Sequence, residues 1–242
     1  MMNITLPPLS LYIHYPWCVK KCPYCDFNSH EGNNRDGYIT ALLNDLDQEL
    51  SYVQNRTIHS IFIGGGTPSL MSEEDLSKLF EGLRLRLNFD ENIEITLETN
   101  PGTFEIEKFK AFKQIGINRL SIGVQSFNDQ NLKTLGRIHS AEEALNACIQ
   151  AGNIFDNFNI DLMYGLQAQT TDECLSDLQQ ALDLNPTHIS FYQLTIEPNT
   201  LFAKFPPLLP KEDDIFSMGE AGVNLLEQHG FSRYEVSAFG KI

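Results

Sequence analysis

Apolar runs alternate with amphipathic stretches along the whole chain, at a spacing of roughly 35–40 residues. The first run is Leu11–Tyr15. The stretch 38–53 follows, with Tyr38, Leu42, Leu46, Leu50 and Val53 on one helical face. Ser60–Gly66 is a buried-type strand that ends in glycines. Ser72 before Glu73, Glu74 and Asp75 predicts a capped helix start with acids at the positive end of the helix dipole. That helix buries Leu76, Leu79, Phe80, Leu83 and Leu87. The third strand is Ile93–Thr99, stopped by Asn100-Pro101-Gly102, with a helix over about 105–114 after it. The fourth is Arg119–Gln125, followed by helical patterns at 128–135 and 140–151. The fifth is Phe158–Gly165; Thr170 and Glu173 then form a capping box ahead of Leu175, Leu178 and Leu182. The sixth strand is His188–Thr195.

Six strand–helix units in order, with short connections, predict an α/β fold of parallel strands. The expected architecture is a partial (βα)6 TIM-like barrel whose site lies at the C-terminal mouth of the strands. Six units are too few to close an eight-stranded barrel, so a splayed mouth is expected. After Glu197-Pro198-Asn199 the rhythm breaks. Phe205–Pro210 is a proline-rich connection, leading to a helix at about 211–229 and a strand-like piece, Arg233–Ser237. The chain therefore divides into a core barrel, 1–197, and an incomplete C-terminal extension, 198–242.

Charge and cysteine usage narrow the function. The chain has 17 Lys and Arg against 32 Asp and Glu, a formal net charge of −15, which argues against a nucleic-acid-binding face. No stretch approaches the ~20 apolar residues of a membrane span, and the first residues lack the basic start of a signal peptide. A cytoplasmic location is the expectation, and in that reducing compartment clustered cysteines more often bind metal than form disulfides. Of five cysteines, Cys148 and Cys174 fall on helical stretches and read as small buried hydrophobes. The other three form Cys18-Val-Lys-Lys-Cys22-Pro-Tyr-Cys25, directly after the first strand. A C-x3-C-x2-C loop folds three thiolates toward one place. That suits three irons of a cubane cluster and leaves the fourth iron open to an external ligand. Zinc, with His14 or His30 as fourth ligand, is the alternative. His14 reads equally as a satisfied core histidine; His59, His139, His188 and His229 read as structural or exposed. Gly64-Gly65-Gly66 is either a strand end shaped for close approach of a ligand or a plain tight turn. A Walker loop is excluded because no Gly-Lys-Ser/Thr follows. Glu98 ends an apolar strand, where it can pair with an ammonium or ribose hydroxyls, or simply face solvent. Trp17 and Phe27 flank the cysteine loop as apolar shielding, and the acidic runs Asp45–Glu49 and Glu212–Asp214 read as solvated faces.

The cysteine loop after the first strand, with the glycines after the second, resembles the radical S-adenosylmethionine (SAM) superfamily. There the amino and carboxylate groups of SAM chelate the open iron, and electron transfer cleaves SAM to a 5′-deoxyadenosyl radical. Tyr12–Cys18, Gly64–Pro68, Glu98–Pro101, Gly123–Phe127, Asn159–Gly165 and Phe191–Pro198 resemble, in order and spacing, the oxygen-independent coproporphyrinogen III oxidase family. The dehydrogenase branch of that family carries a further cysteine two positions after the third cluster cysteine. Here Asp26-Phe27 follows Cys25, and this form, with Tyr234–Phe239, is similar to the haem chaperone branch. A further H-N-x-x-Y-W segment of that branch is not among these residues, so the chain reads as the N-terminal part of a longer protein.

The resemblance implies a [4Fe–4S] cluster on Cys18, Cys22 and Cys25, with Tyr12 and Tyr24 flanking cluster and SAM. It implies that Gly65, Gly66 and Thr67 meet the methionine part of SAM through backbone groups. Glu98 joins them, and Gln125, Arg137 and Asp161 match positions that contact a second SAM in the enzyme branch; an ordinary surface arginine is the alternative for Arg137. No side chain is assigned a catalytic role. The function implied is a haem chaperone-like radical SAM protein that binds haem and delivers it to an acceptor. An electron donor such as flavodoxin or ferredoxin is implied as a partner, and membrane contact only through the acceptor. The alternative is the dehydrogenase itself, decarboxylating coproporphyrinogen III; a splayed mouth has room for such a large planar substrate. An RNA-modifying radical SAM class is a third reading, and the acidic balance opposes it.

Overall fold

The computed structural model describes residues 6–32 and 35–241. Six strands run parallel and lie in the sheet in their sequence order: β1 (Leu9–Tyr15), β2 (Thr57–Gly65), β3 (Asn88–Thr99), β4 (Arg119–Gln125), β5 (Phe158–Tyr164) and β6 (His188–Gln193). Between them come α1 (Tyr38–Val53), α2 (Glu73–Arg84), α3 (Ile106–Ile115), α4 (Asp129–Thr134), α5 (Ala141–Ile154) and α6 (Thr171–Asp183). The caps act as their residue types demand. Ser72 accepts from the Asp75 N–H at 3.0 Å, and Ser140 with Glu143 and Thr170 with Glu173 complete capping boxes.

Alternation along the strands separates two faces. Ile61, Ile63, Ile95, Leu97, Leu120, Ile122, Ile160, Leu162, Ile189 and Phe191 are buried in one cluster with Leu76, Leu79, Phe80, Phe109, Phe112, Cys148 and Leu178 of the helices. At roughly 1.5–3 kcal/mol per fully buried side chain, this layer holds the fold together. The opposite face is polar. Glu94, Glu98, Arg119, Ser121, Asn159, Asp161, His188 and Ser190 line a trough of about 620 Å³. A closed barrel fills its inside with branched apolar side chains; this sheet stays open, with β1 on one edge, and keeps a wet, polar concave face.

The C-terminal stretch joins the same sheet. It contains α7 (Leu201–Lys204), α8 (Glu212–Gln228), β7 (Phe231–Arg233) and β8 (Ala238–Lys241). β8 is antiparallel to both β6 and β7. The expected strand at 233–237 is therefore corrected: most of that stretch is the turn of a hairpin. Phe231 and Phe239 anchor the two arms in the core, while Tyr234 and Val236 are exposed. Arg233 closes the turn by donating from Nη2 to the Val236 carbonyl at 2.7 Å. α8 packs on α6 and comes so near the sheet that a Cβ at Gly222 would stand 2.4 Å from the Phe191 ring.

Candidate functional site

The cysteine loop is held shut at its base. Trp17–Cys18 pairs in parallel with His30–Glu31, and the His30 N–H donates to the Pro16 carbonyl at 2.7 Å. Lys21 ties the inside, donating from Nζ to the carbonyls of Phe27 (2.9 Å) and Ser29 (3.1 Å). Cys18, Cys22 and Cys25 consequently share one cavity of about 390 Å³ at the C-terminal ends of the strands, all three as free, partly exposed thiols. Burial pushes the Cys18 thiol above its ordinary value; the Thr67 and Ser29 side chains pull it back, and Cys25 and Cys22 push it up again. Trp17 packs edge-on against Tyr38 at 4.5 Å, whereas Phe27 stays 64% exposed on the rim.

The end of β2 forms the adjoining wall. Gly65 has φ 118, and a Cβ there would meet the His14 ring at 2.6 Å. A Cβ at Gly66 would meet the Trp17 carbonyl oxygen at 2.6 Å. The N–H groups here are all engaged: Gly65 on Glu98 Oε2 (3.1 Å), Gly66 on Tyr15 O (2.7 Å), Thr67 on Trp17 O (2.8 Å). A turn whose donors are taken suits a ligand that brings donors of its own, such as an ammonium group.

Glu98 and Asp161 face each other across the mouth. Burial, then the Asp161 charge, raises the Glu98 carboxyl to about 7, and the Gly65 N–H only partly offsets this. Burial also raises Asp161, against hydrogen bonds from Ser190, Asn159 and Ser121. Two carboxylates in a half-dry mouth are costly to ionise together and favour a cationic guest. On the far side, Gln125 sits at φ 72 in a register break between β4 and β5. Holding a non-glycine residue in that region costs of order 1 kcal/mol. Tyr192 restrains its side chain, donating to Oε1 at 2.6 Å. Asp177 of α6 restrains the following residues, accepting from Ser126 Oγ (2.6 Å) and the Phe127 N–H (2.8 Å). Arg137 reaches in from the turn after α4, its Nη2 donating to the Gly123 carbonyl at 2.6 Å.

Eleven of the twelve expected site residues line this one cavity: the three cysteines, Tyr24, Gly65, Gly66, Thr67, Glu98, Gln125, Arg137 and Asp161. Tyr12 lies outside it, exposed, with its hydroxyl on His14 Nδ1 at 2.9 Å. Arg137 is half-buried, not an ordinary surface arginine. Ser121, Ser190, Tyr192 and Asn159 were not anticipated. Their signal was polarity at alternate positions within apolar strands. Asp177 also had one, as an acid on the apolar i, i+3, i+4, i+7 stripe Cys174, Asp177, Leu178, Ala181.

The three thiols fit a cluster held at three corners, and His14 is not available as a fourth ligand. His14 has its second ring nitrogen, Nε2, on the Asn28 carbonyl at 2.8 Å, so neither nitrogen is free to complete a zinc site. Three thiols spaced around a cavity suit a cubane, which takes one thiolate at each of three corners. The sequence matches the radical SAM superfamily over residues 12–181.

The chain belongs to the radical SAM superfamily.

That family implies a [4Fe–4S] cluster and SAM. This radical SAM chain is 52% identical to Heme chaperone HemW of Escherichia coli K12 and 53% identical to Heme chaperone HemW of Haemophilus influenzae; each match takes in 98% of this chain. The chain spans 64% of the length of both relatives. Among solved structures it resembles coproporphyrinogen III oxidase (HemN) from Escherichia coli, a radical SAM enzyme. The TM-score is 0.84 at 28% identity, over 97% of this chain and 56% of that one. No helix among the described residues is long and apolar enough to cross a membrane.

Proposed function

We propose that this radical SAM chain is the cluster- and SAM-binding part of a haem chaperone that delivers haem to an acceptor protein. Cys18, Cys22 and Cys25 hold the cluster. The Gly65–Thr67 turn and Glu98 receive the amino end of SAM, and Asp161 adds negative charge opposite. Gln125, Arg137 and Tyr24 close the far wall, while Tyr12 stands outside the cavity against His14 and takes no part in holding the cluster. When bound, the cluster supplies an electron to the SAM sulfonium. The residues of this chain orient SAM, line the cavity around it and hold Glu98 near the protonation boundary. The electron comes from a donor such as flavodoxin or ferredoxin in the cytoplasm, and any membrane contact runs through the acceptor.

Position 27 carries the choice between chaperone and dehydrogenase. A cysteine two places after Cys25 would put a fourth thiolate at the mouth, and here that place is an exposed phenyl ring, which binds no metal. The names of the half-identical relatives support the same reading. The likeness to HemN favours decarboxylation of coproporphyrinogen III as the second reading. His188, which lines the trough, has both ring nitrogens engaged, on Asn159 Oδ1 and Tyr234 Oη at 2.6 Å each, so it is not assigned as a haem ligand.

The test gives the reconstituted protein haem, and separately coproporphyrinogen III with SAM and a low-potential reductant. Haem uptake, seen as a protein-bound Soret band, with no protoporphyrinogen formed supports the chaperone. Protoporphyrinogen formation rejects it in favour of the enzyme.

A further inference from the structure

Arg137 reaches the cysteine loop from the turn after α4. Its Nη1 is 3.6 Å from Cys22 Sγ and 3.5 Å from Tyr24 Oη, while Nη2 donates to the Gly123 carbonyl. Its Nε is shut off from solvent and has no partner. Among the described residues no carboxylate forms an ion pair with it. A guanidinium does not lose its proton in a protein, so this half-buried charge needs an anion at hand. The anion in reach is the Cys22 sulfur, a thiolate whenever it ligates metal.

Three features fix the contact. The Arg137 N–H donates to the Leu132 carbonyl at 2.9 Å, which folds the turn after α4 back toward the cysteine loop. A Cβ at Gly136 (φ 69) would stand 2.7 Å from Pro23 Cδ, so the turn abuts the residue next to Cys22. At Gly123 the lack of a side chain lets the guanidinium lie against β4: a Cβ there would be 3.4 Å from Nη2.

We propose that Arg137 donates a charge-assisted hydrogen bond to Cys22 Sγ and thereby raises the reduction potential of the cluster. Hydrogen bonds to cluster sulfurs and local charge are the protein's main levers on that potential. Reduction adds negative charge, and a fixed positive charge against a ligand sulfur stabilises the reduced form. This role needs no SAM, which separates it from contact with a bound cofactor. The inference rests on the cluster assignment to Cys18, Cys22 and Cys25.

The test reconstitutes the full chain and its Arg137→Gln and Arg137→Lys variants. It measures iron content, then the midpoint potential by electron paramagnetic resonance (EPR) in a redox titration without SAM. Arg137→Gln is expected to lower the ratio of reduced to oxidised cluster at a fixed low potential on the order of tenfold, equivalent to a midpoint about 59 mV more negative. Arg137→Lys, which keeps a point charge but loses the fork, is expected to fall between. A fully loaded Arg137→Gln variant with the parent midpoint overturns the proposal. If the variants do not hold a cluster, the parent protein decides. Grown on 15N-arginine and reduced, it should show a 15N coupling to the cluster by pulsed EPR, and no coupling overturns the proposal. A parent protein that takes up no iron instead sinks the cluster assignment itself.

Discussion

Asp177 offers a quantitative test of how the mouth is held together. Its carboxylate lies in the interior, 4% exposed, and receives only the Ser126 hydroxyl and the Phe127 N–H. Burial outweighs those two bonds and raises the carboxyl from 3.8 to about 6. An acid with a raised folded value holds its proton more tightly in the fold than in the unfolded chain. Its stabilising contribution is complete below 3.8 and is lost as pH rises through about 6. The whole change is worth about 3 kcal/mol, of which roughly half falls between pH 5 and pH 8. Asp177→Asn removes the titration and keeps the shape. The amide oxygen accepts from Phe127, and the amide nitrogen must share Ser126 Oγ with the Asn128 N–H (3.1 Å) and Asn131 Nδ2 (3.4 Å), a cost that does not depend on pH and so leaves the pH slope as the readout. Urea unfolding of both proteins at several pH values, followed by circular dichroism, gives the difference in stability, in which the other titrating groups cancel. That difference should move in favour of the variant by about 1–2 kcal/mol from pH 5 to pH 8. A difference independent of pH would refute the claim that Asp177 is held as a strained, desolvated charge behind the Gln125 loop.

Three further outcomes follow from the geometry. Gly66→Ala should abolish iron binding on reconstitution, because its Cβ would strike the Trp17 and Pro16 carbonyl oxygens at 2.6 and 2.8 Å and neither is a movable side-chain end; retention of the parent iron content would contradict this. With Glu98 raised to about 7, SAM affinity measured by calorimetry should rise up to about tenfold from pH 6 to pH 8 as the carboxylate forms, and Glu98→Gln should flatten the profile; a flat profile in the parent protein argues against Glu98 as the partner of the SAM amino group. Cys148→Ser should keep the full iron content yet lose about 1–3 kcal/mol of stability in urea, since a hydroxyl replaces a fully buried thiol; loss of iron would reassign that cysteine.

Local signals carried most of the fold. Ser72, and Thr170 with Glu173, mark helix starts through hydrogen bonds within a few residues, and such signals survive any tertiary context. The strand runs were legible by their apolar content, but β3 begins at Asn88, in a polar stretch paired to Thr57, where no apolar pattern announces it. The hairpin of β7 and β8 was misplaced because its turn carries Tyr234 and Val236, residues with strand propensity that the structure leaves exposed. At the site, the cysteine spacing and strand-end residues were readable because each motif sits on one strand and its following loop. The polar partners Ser121, Asn159 and Ser190 stand at alternate positions of strand runs recognised by their apolar residues, so the strands were legible while their second, polar face was not read out. The contact of Arg137 with Cys22 spans 115 residues, a distance over which spacing alone carries no signal.

The most direct measurement is anaerobic reconstitution with iron and sulfide, followed by EPR of the reduced protein with and without SAM. The account predicts a [4Fe–4S] signal that SAM perturbs, and its loss in each of Cys18→Ser, Cys22→Ser and Cys25→Ser. A protein that takes up a single zinc and no iron, or a Cys22→Ser variant that keeps the complete SAM-responsive signal, would contradict it.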